Sequence, residues 1–159
     1  WHASRVSGAL GVDAWPHLFR RTEAGEEGEA YWWDLMQDED ESRIDRVLEL
    51  AAQRVDLAKI ATGPGEDLWP APGLDSQGAL DFILQDLRRF PGKGWNFVRA
   101  GLQSPVVRNR NMALRALSAW GQERWPDDAL SLVEAAMRAE PKEDVKLRFA
   151  QVIKGEALD

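Results

Sequence analysis

The amino-acid sequence predicts an all-α fold, a stack of antiparallel helical hairpins with about eight helices in one continuous domain over residues 1–159. Three observations predict it. No stretch of five or more residues alternates apolar and polar side chains with β-branched enrichment, so strand signals are almost absent. Apolar residues recur at helical spacing along most of the chain. Glycine and proline interrupt that spacing at short intervals, as connectors between helices do.

Residues 1–60 read as an irregular N-terminal cap or as the remnant of a longer array. Within them Ile44, Val47, Leu48, Leu50, Ala51, Val55 and Ala58 form one broad apolar face, so 43–58 reads as a continuous helix. Thr62-Gly63-Pro64-Gly65 ends it, because Gly and Pro lower helix propensity and Pro disfavours helix at the preceding residue. Pro70-Ala71-Pro72-Gly73 extends the loop. Asp75 or Ser76 then offers an N-cap oxygen, and Leu80, Ile83, Leu84 and Leu87 repeat the apolar face. Pro91-Gly92-Lys93-Gly94 is a tight break. Ser104-Pro105 reads as an N-cap with Pro in the first helical position, leading into Met112, Ala113, Ala116, Leu117 and Trp120. Trp125-Pro126 and Glu140-Pro141 start two further helices in the same way.

The clearest repeats lie in residues 75–154. A shift of 50 residues lays Ala79-Leu80 on Ala129-Leu130, Arg88 on Arg138 and Pro91 on Pro141. It also keeps Phe97, Ala100 and Leu102 on apolar residues. Such self-similarity marks stacked units, each unable to bury its apolar face alone. The segment from Ser104 through Val106-Val107-Arg108 to Ala116-Leu117 has a short Pro break, an early Val-Arg and one apolar face. Pro141 to Ala150 has the same shape. Both resemble HEAT-like α-helical repeats, the α-solenoid class. This resemblance implies a helical stack in which the second helix of each hairpin lines a concave face. The apparent unit of 50 to 55 residues is longer than that class usually shows.

Composition limits the chemistry. The 159 residues carry a net charge of −7 and no cysteine, which excludes disulfides, thiolate metal sites and a Cys nucleophile. No apolar run is long enough to cross a membrane. The first ten residues lack the plan of a signal peptide, and the polar stretch from Lys154 reads as a chain end. The expected location is the cytoplasm. The two histidines, His2 and His17, fit no zinc signature. Asp38, Asp40, Ser42 and Glu49 have the offsets of a calcium loop, but Arg43 stands where the turn needs Gly. No metal or cofactor is expected. The glycine-rich Gly63–Gly65 and Gly92–Gly94 complete no phosphate-loop motif.

Charge and aromatic residues give the candidate site. Residues 23–49 hold 11 acids against two bases, whereas 78–125 hold eight bases against three acids. The acidic run reads as a solvated face or a docking surface for a basic partner. Arg108, Arg115 and Arg99 can share a ridge with Arg110 nearby, and such guanidinium groups bind carboxylate or phosphate in bidentate fashion. Alternatively, Arg108 or Arg110 pairs with a neighbouring acid such as Asp144 or Asp86. Eight tryptophans serve either as packing between helices or as binding anchors, with Trp32, Trp33, Trp95 and Trp120 as candidates.

The expected function is a non-enzymatic protein-interaction module that binds another protein through Arg108, Arg110 and Arg115 with tryptophan anchors. The alternative is nucleic-acid binding. One branch of HEAT-like proteins comprises DNA glycosylases that use Trp, Arg and Asp on the concave face. Trp95, Trp120, Arg108, Arg115 and Asp81 or Asp86 match those residue types, but the net negative charge disfavours phosphate binding. Asp34, Asp38 or Asp45 acting as acid–base groups in a pocket is the weaker enzymatic reading.

Overall fold

The structure, a computed structural model, describes residues 13–26, 30–68 and 75–158. It is all-α. Helices α1 (Trp15–Ala24), α2 (Ala30–Met36), α3 (Glu41–Arg54), α4 (Leu57–Ile60) and α5 (Asp75–Leu87) come first. They are followed by α6 (Trp95–Leu102), α7 (Val107–Trp120), α8 (Ala129–Ala139) and α9 (Glu143–Ile153), with a 3-10 turn at Gln122–Arg124. No strand forms among the described residues, where one isolated bridge joins Asp67 to Val106.

Several helix ends follow from local chemistry. Asp40 caps α3, its side chain accepting from the Ser42 amide at 2.9 Å. Asp56 accepts from the Lys59 amide and starts α4 as a separate turn, so the single helix expected over 43–58 is divided at Val55 and Asp56. Gly94 sits at φ 66° between α5 and α6, where an added Cβ would lie 3.0 Å from a Leu87 methyl. The three X-Pro starts fall earlier than the helices themselves. Helix α7 begins at Val107, α8 at Ala129 and α9 at Glu143. Ser104 does not cap the helix, whose N-cap position is Val106; its hydroxyl accepts from the Val106 amide within the turn ahead of it. The expected loop at Pro70–Gly73 lies outside the described residues.

Helix α5 is the centre of the molecule. Ala79, Leu80, Ile83, Leu84 and Leu87 are buried, and α5 packs against α2, α4, α6 and α7. A helix apolar on most of its circumference is one enclosed by neighbours. Burial of each large side chain there contributes about 1.5–3 kcal/mol relative to exposure.

The helices fall into two rows. In one, α2 packs on α5, α5 on α7 and α7 on α9. In the other, α4 packs on α6 and α6 on α8. Along the first row the C-terminal ends meet. Gln37, just past α2, donates to Asp86 near the end of α5 at 2.8 Å. Trp120 at the end of α7 donates to the Leu87 carbonyl at the end of α5, at 2.8 Å. Gln122 after α7 donates to the Ile153 carbonyl at the end of α9, at 2.7 Å.

This packing changes the meaning of the internal repeat. The 50-residue shift lays α5 on α8, yet α5 belongs to the row of α7 and α9, and α8 to the row of α6. The pairs α6–α7 and α8–α9 instead begin at Trp95 and Ala129, and at Val107 and Glu143, 34 and 36 residues apart. The 50-residue match therefore pairs helices of different rows that share similar apolar spacing.

Candidate functional site

The residues picked from sequence divide into those that build the fold and those left at the surface. Arg110 builds it. Its side chain is 0% exposed, and all five of its N–H groups are used. Nε and Nη2 hold the two Glu140 oxygens at 2.7 and 2.9 Å. Nη1 donates to the Ser104 and Pro105 carbonyls, and Nη2 donates also to Gly65 O at 2.8 Å. Arg110 is therefore no part of a binding ridge. It ties the loop before α5, the turn before α7 and the end of α8 together.

Arg108 is also paired. Its Nε contacts both Asp81 oxygens at 2.7 and 2.8 Å, and Nη2 donates to Gln85 at 3.2 Å. The acids that neutralise these arginines are thus Asp81 and Glu140, not Asp144 or Asp86. Glu140 reads in sequence as the start of a helix, which concealed its role as a counter-ion.

Tryptophan mostly closes helix ends. Trp120 is 2% exposed and caps Leu87 O. Trp15 donates to Leu35 O in α2 at 3.2 Å, and Trp125 donates to Leu117 O in α7 at 2.9 Å. These carbonyls belong to last turns, which lack partners inside the helix. Trp32 is buried in the core. Trp95 is half-buried, and its indole donates to Asp128 at 3.0 Å. Two of the four aromatic anchors, Trp32 and Trp120, are therefore interior.

What remains open is a face shared by α2, α5 and α7. On α2, Trp33 and Asp34 are half-buried. On α5, half-buried Phe82 and Gln85 lie between Asp86, turned to Gln37 of the α2 side, and Asp81, turned to Arg108 of α7. On α7, Asn111, Met112 and Arg115 follow Arg108 at helical spacing and are half-buried. Among the described residues the Arg115 side chain makes no ion pair or hydrogen bond, and Asn111 Oδ1 is a buried acceptor without a donor. Burial pushes the Asp34 carboxyl above its ordinary range. Burial also raises that of Asp86, opposed by Arg89 and by the Gln37 hydrogen bond.

The calcium-loop residues are engaged in folding. Asp40 caps α3, and Asp38 holds Arg43 at 2.8 Å. Among the described residues no group of three or more His, Asp or Glu is placed to hold a metal ion. His17 is exposed, and His2 lies outside the described residues. No described helix is long and apolar enough to cross a membrane.

No family model, curated protein or solved structure matches the chain.

Proposed function

We propose that the chain is an interaction module of HEAT-like helical build, which receives a segment of another protein on the face of α2, α5 and α7. The observation that carries this reading is the state of Arg115. Arg115 is a half-buried residue whose cation has no protein partner among the described residues, and one turn before it on α7 the buried Asn111 Oδ1 lacks a donor, which is costly unless something completes it. Half-buried Trp33, Phe82 and Met112 add apolar contact on the same face, and indole and guanidinium groups are the side chains that dominate protein interfaces. The ion pairs Arg108–Asp81 and Arg89–Asp86 hold the groups between them in place. A partner segment with an acidic side chain for Arg115 and an apolar one for Trp33 fits this chemistry.

The test is affinity capture from lysate, with and without nuclease, using the native chain and a Trp33→Ala/Arg115→Glu variant. Arg108 is left intact because its loss would strand Asp81. The reading expects protein partners that survive nuclease and are lost by the variant. Recovery of nucleic acid with the native chain, or partners retained unchanged by the variant, would overturn it.

A further inference from the structure

The turn after α7 holds a carboxylate where helix electrostatics disfavours one. Gly121 follows α7 with φ 75° and ψ 145°, a backbone state that glycine alone takes freely. The Glu123 side chain folds back over it. A Cβ built at Gly121 would lie 2.6 Å from Glu123 Oε1 and 2.7 Å from Oε2. The C-terminal end of a helix carries roughly half a negative charge, so Glu123 sits against a field of its own sign. Among the described residues neither Glu123 nor Glu156 makes an ion pair.

The two glutamates border a cleft of ≈ 210 Å³, lined also by Ser118, Gly121, Trp125 and Val152. The cleft lies where the C-terminal ends of α7 and α9 meet. Gln122 there spans to the Val152 and Ile153 carbonyls, and the Leu158 amide donates to Ser118 Oγ at 3.0 Å. A second helix end therefore adds negative potential. The N–H of Trp125 is spent on Leu117 O, so the indole offers the cleft ring surface rather than a donor.

We propose that this cleft binds the cationic head of an arginine or lysine side chain presented by a partner polypeptide. Glu123, Glu156 and the two helix ends supply the negative field. The Trp125 ring supplies a surface on which a cation is favoured. Val152 and the ring cover the aliphatic stem, as long basic side chains require. The cleft continues from that face, since Ser118 lies one turn beyond Arg115 on α7, but the proposal does not rest on the function proposed for the face of α2, α5 and α7.

The test is titration of ¹⁵N-labelled protein with N-acetyl-arginine amide, N-acetyl-lysine amide and, as the neutral isostere, N-acetyl-citrulline amide. The Trp125 indole N–H and the amides of Gly121, Glu123 and Gly155 are expected to shift with a cationic ligand and not with citrulline. A Glu123→Gln/Glu156→Gln variant is expected to bind roughly tenfold more weakly, the loss of two exposed ion pairs. Methylguanidinium, which lacks the stem, is expected to bind more weakly than the arginine amide. Equal shifts with citrulline, no shift with either cation, or unchanged affinity in the double variant would overturn the proposal. Equal affinity for methylguanidinium would overturn its polypeptide part and leave a site for free small cations. Were the double variant to lose its native spectrum, the citrulline comparison on the native chain still decides.

Discussion

Arg110 illustrates what a fully buried cation requires. Five hydrogen bonds and one carboxylate replace the water it gave up. Removing the cation alone leaves Glu140 charged and unpaired inside, so Arg110→Met is expected to cost about 3–5 kcal/mol in urea denaturation. Adding Glu140→Leu is expected to recover part of that loss. It cannot recover all, because the carbonyls of Gly65, Ser104 and Pro105 lose their donor as well. A double variant no more stable than the single would show that the ion pair is not the source of the cost. The tryptophans behave similarly on a smaller scale. Trp120→Phe removes both indole volume and the donor to Leu87 O, and about 2–3 kcal/mol of destabilisation is expected by the same measurement. At this scale sequence reasoning offered packing between helices as one role for the tryptophans, whose buried N–H groups then need partners. It did not see that the partners would be helix ends. The Trp-Pro pairs at Trp15 and Trp125 both place an indole on such an end, a regularity visible in the sequence without its meaning.

At the scale of the element, α5 shows why the chain folds around one helix. Its apolar residues surround it, and its acids face outward to the two neighbours, Asp86 toward α2 and Asp81 toward α7. Asp86 is the costly one. Its folded-state carboxyl is raised above the ordinary value of 3.8 by burial. The folded state therefore holds its proton more tightly than the unfolded state does. Stability from this group is greatest below pH 3.8 and falls as pH rises through the raised value. Asp86→Asn removes that titration. The stability of the variant relative to the native chain is expected to improve as pH is raised from about 3.8 to neutrality, followed by thermal melts. A difference that shrinks over that range would mean that Arg89 and Gln37 more than offset burial. Helix identity was legible from apolar spacing, while helix starts were not. The X-Pro pairs sit in the connectors, and α7, α8 and α9 begin two or three residues later; before α7 the intervening Val106 bridges to Asp67 in the loop after α4.

For the whole molecule, the fold class was legible and the repeat was misread. The spacing of apolar residues reports that a face is buried, but not which row a helix joins, so α5 matched α8 as easily as α7. The candidate site was legible in part. Arg115, Trp33 and Trp95 remain at the surface, but Arg110 and Trp120 have the same residue types and lie inside. Type does not determine exposure; the neighbours across the row do. The packing order makes a further expectation at this scale. Native-state hydrogen exchange is expected to be slowest in α5 and α7, which have neighbours on several sides, and faster in α1 and α9. Exchange in α5 as fast as in α9 would mean that the row does not unfold from its ends.

The closing of helix ends also has a direction in time. The last carbonyls of α2, α5 and α7 are met by Arg89, Trp120 and Trp125, each of which is later in the chain. A polypeptide is made from its N-terminus. As it leaves the ribosome, α5 is complete while the residue that covers Leu87 O is still 33 positions from being added, and Met36 O waits 53 positions for Arg89. At these three ends a later segment finishes an earlier one, whereas Leu35 O of α2 and the last carbonyls of α9 meet Trp15 and Gln122, which are already made; a nascent chain stopped anywhere before Trp120 carries an unfinished edge on its central helix.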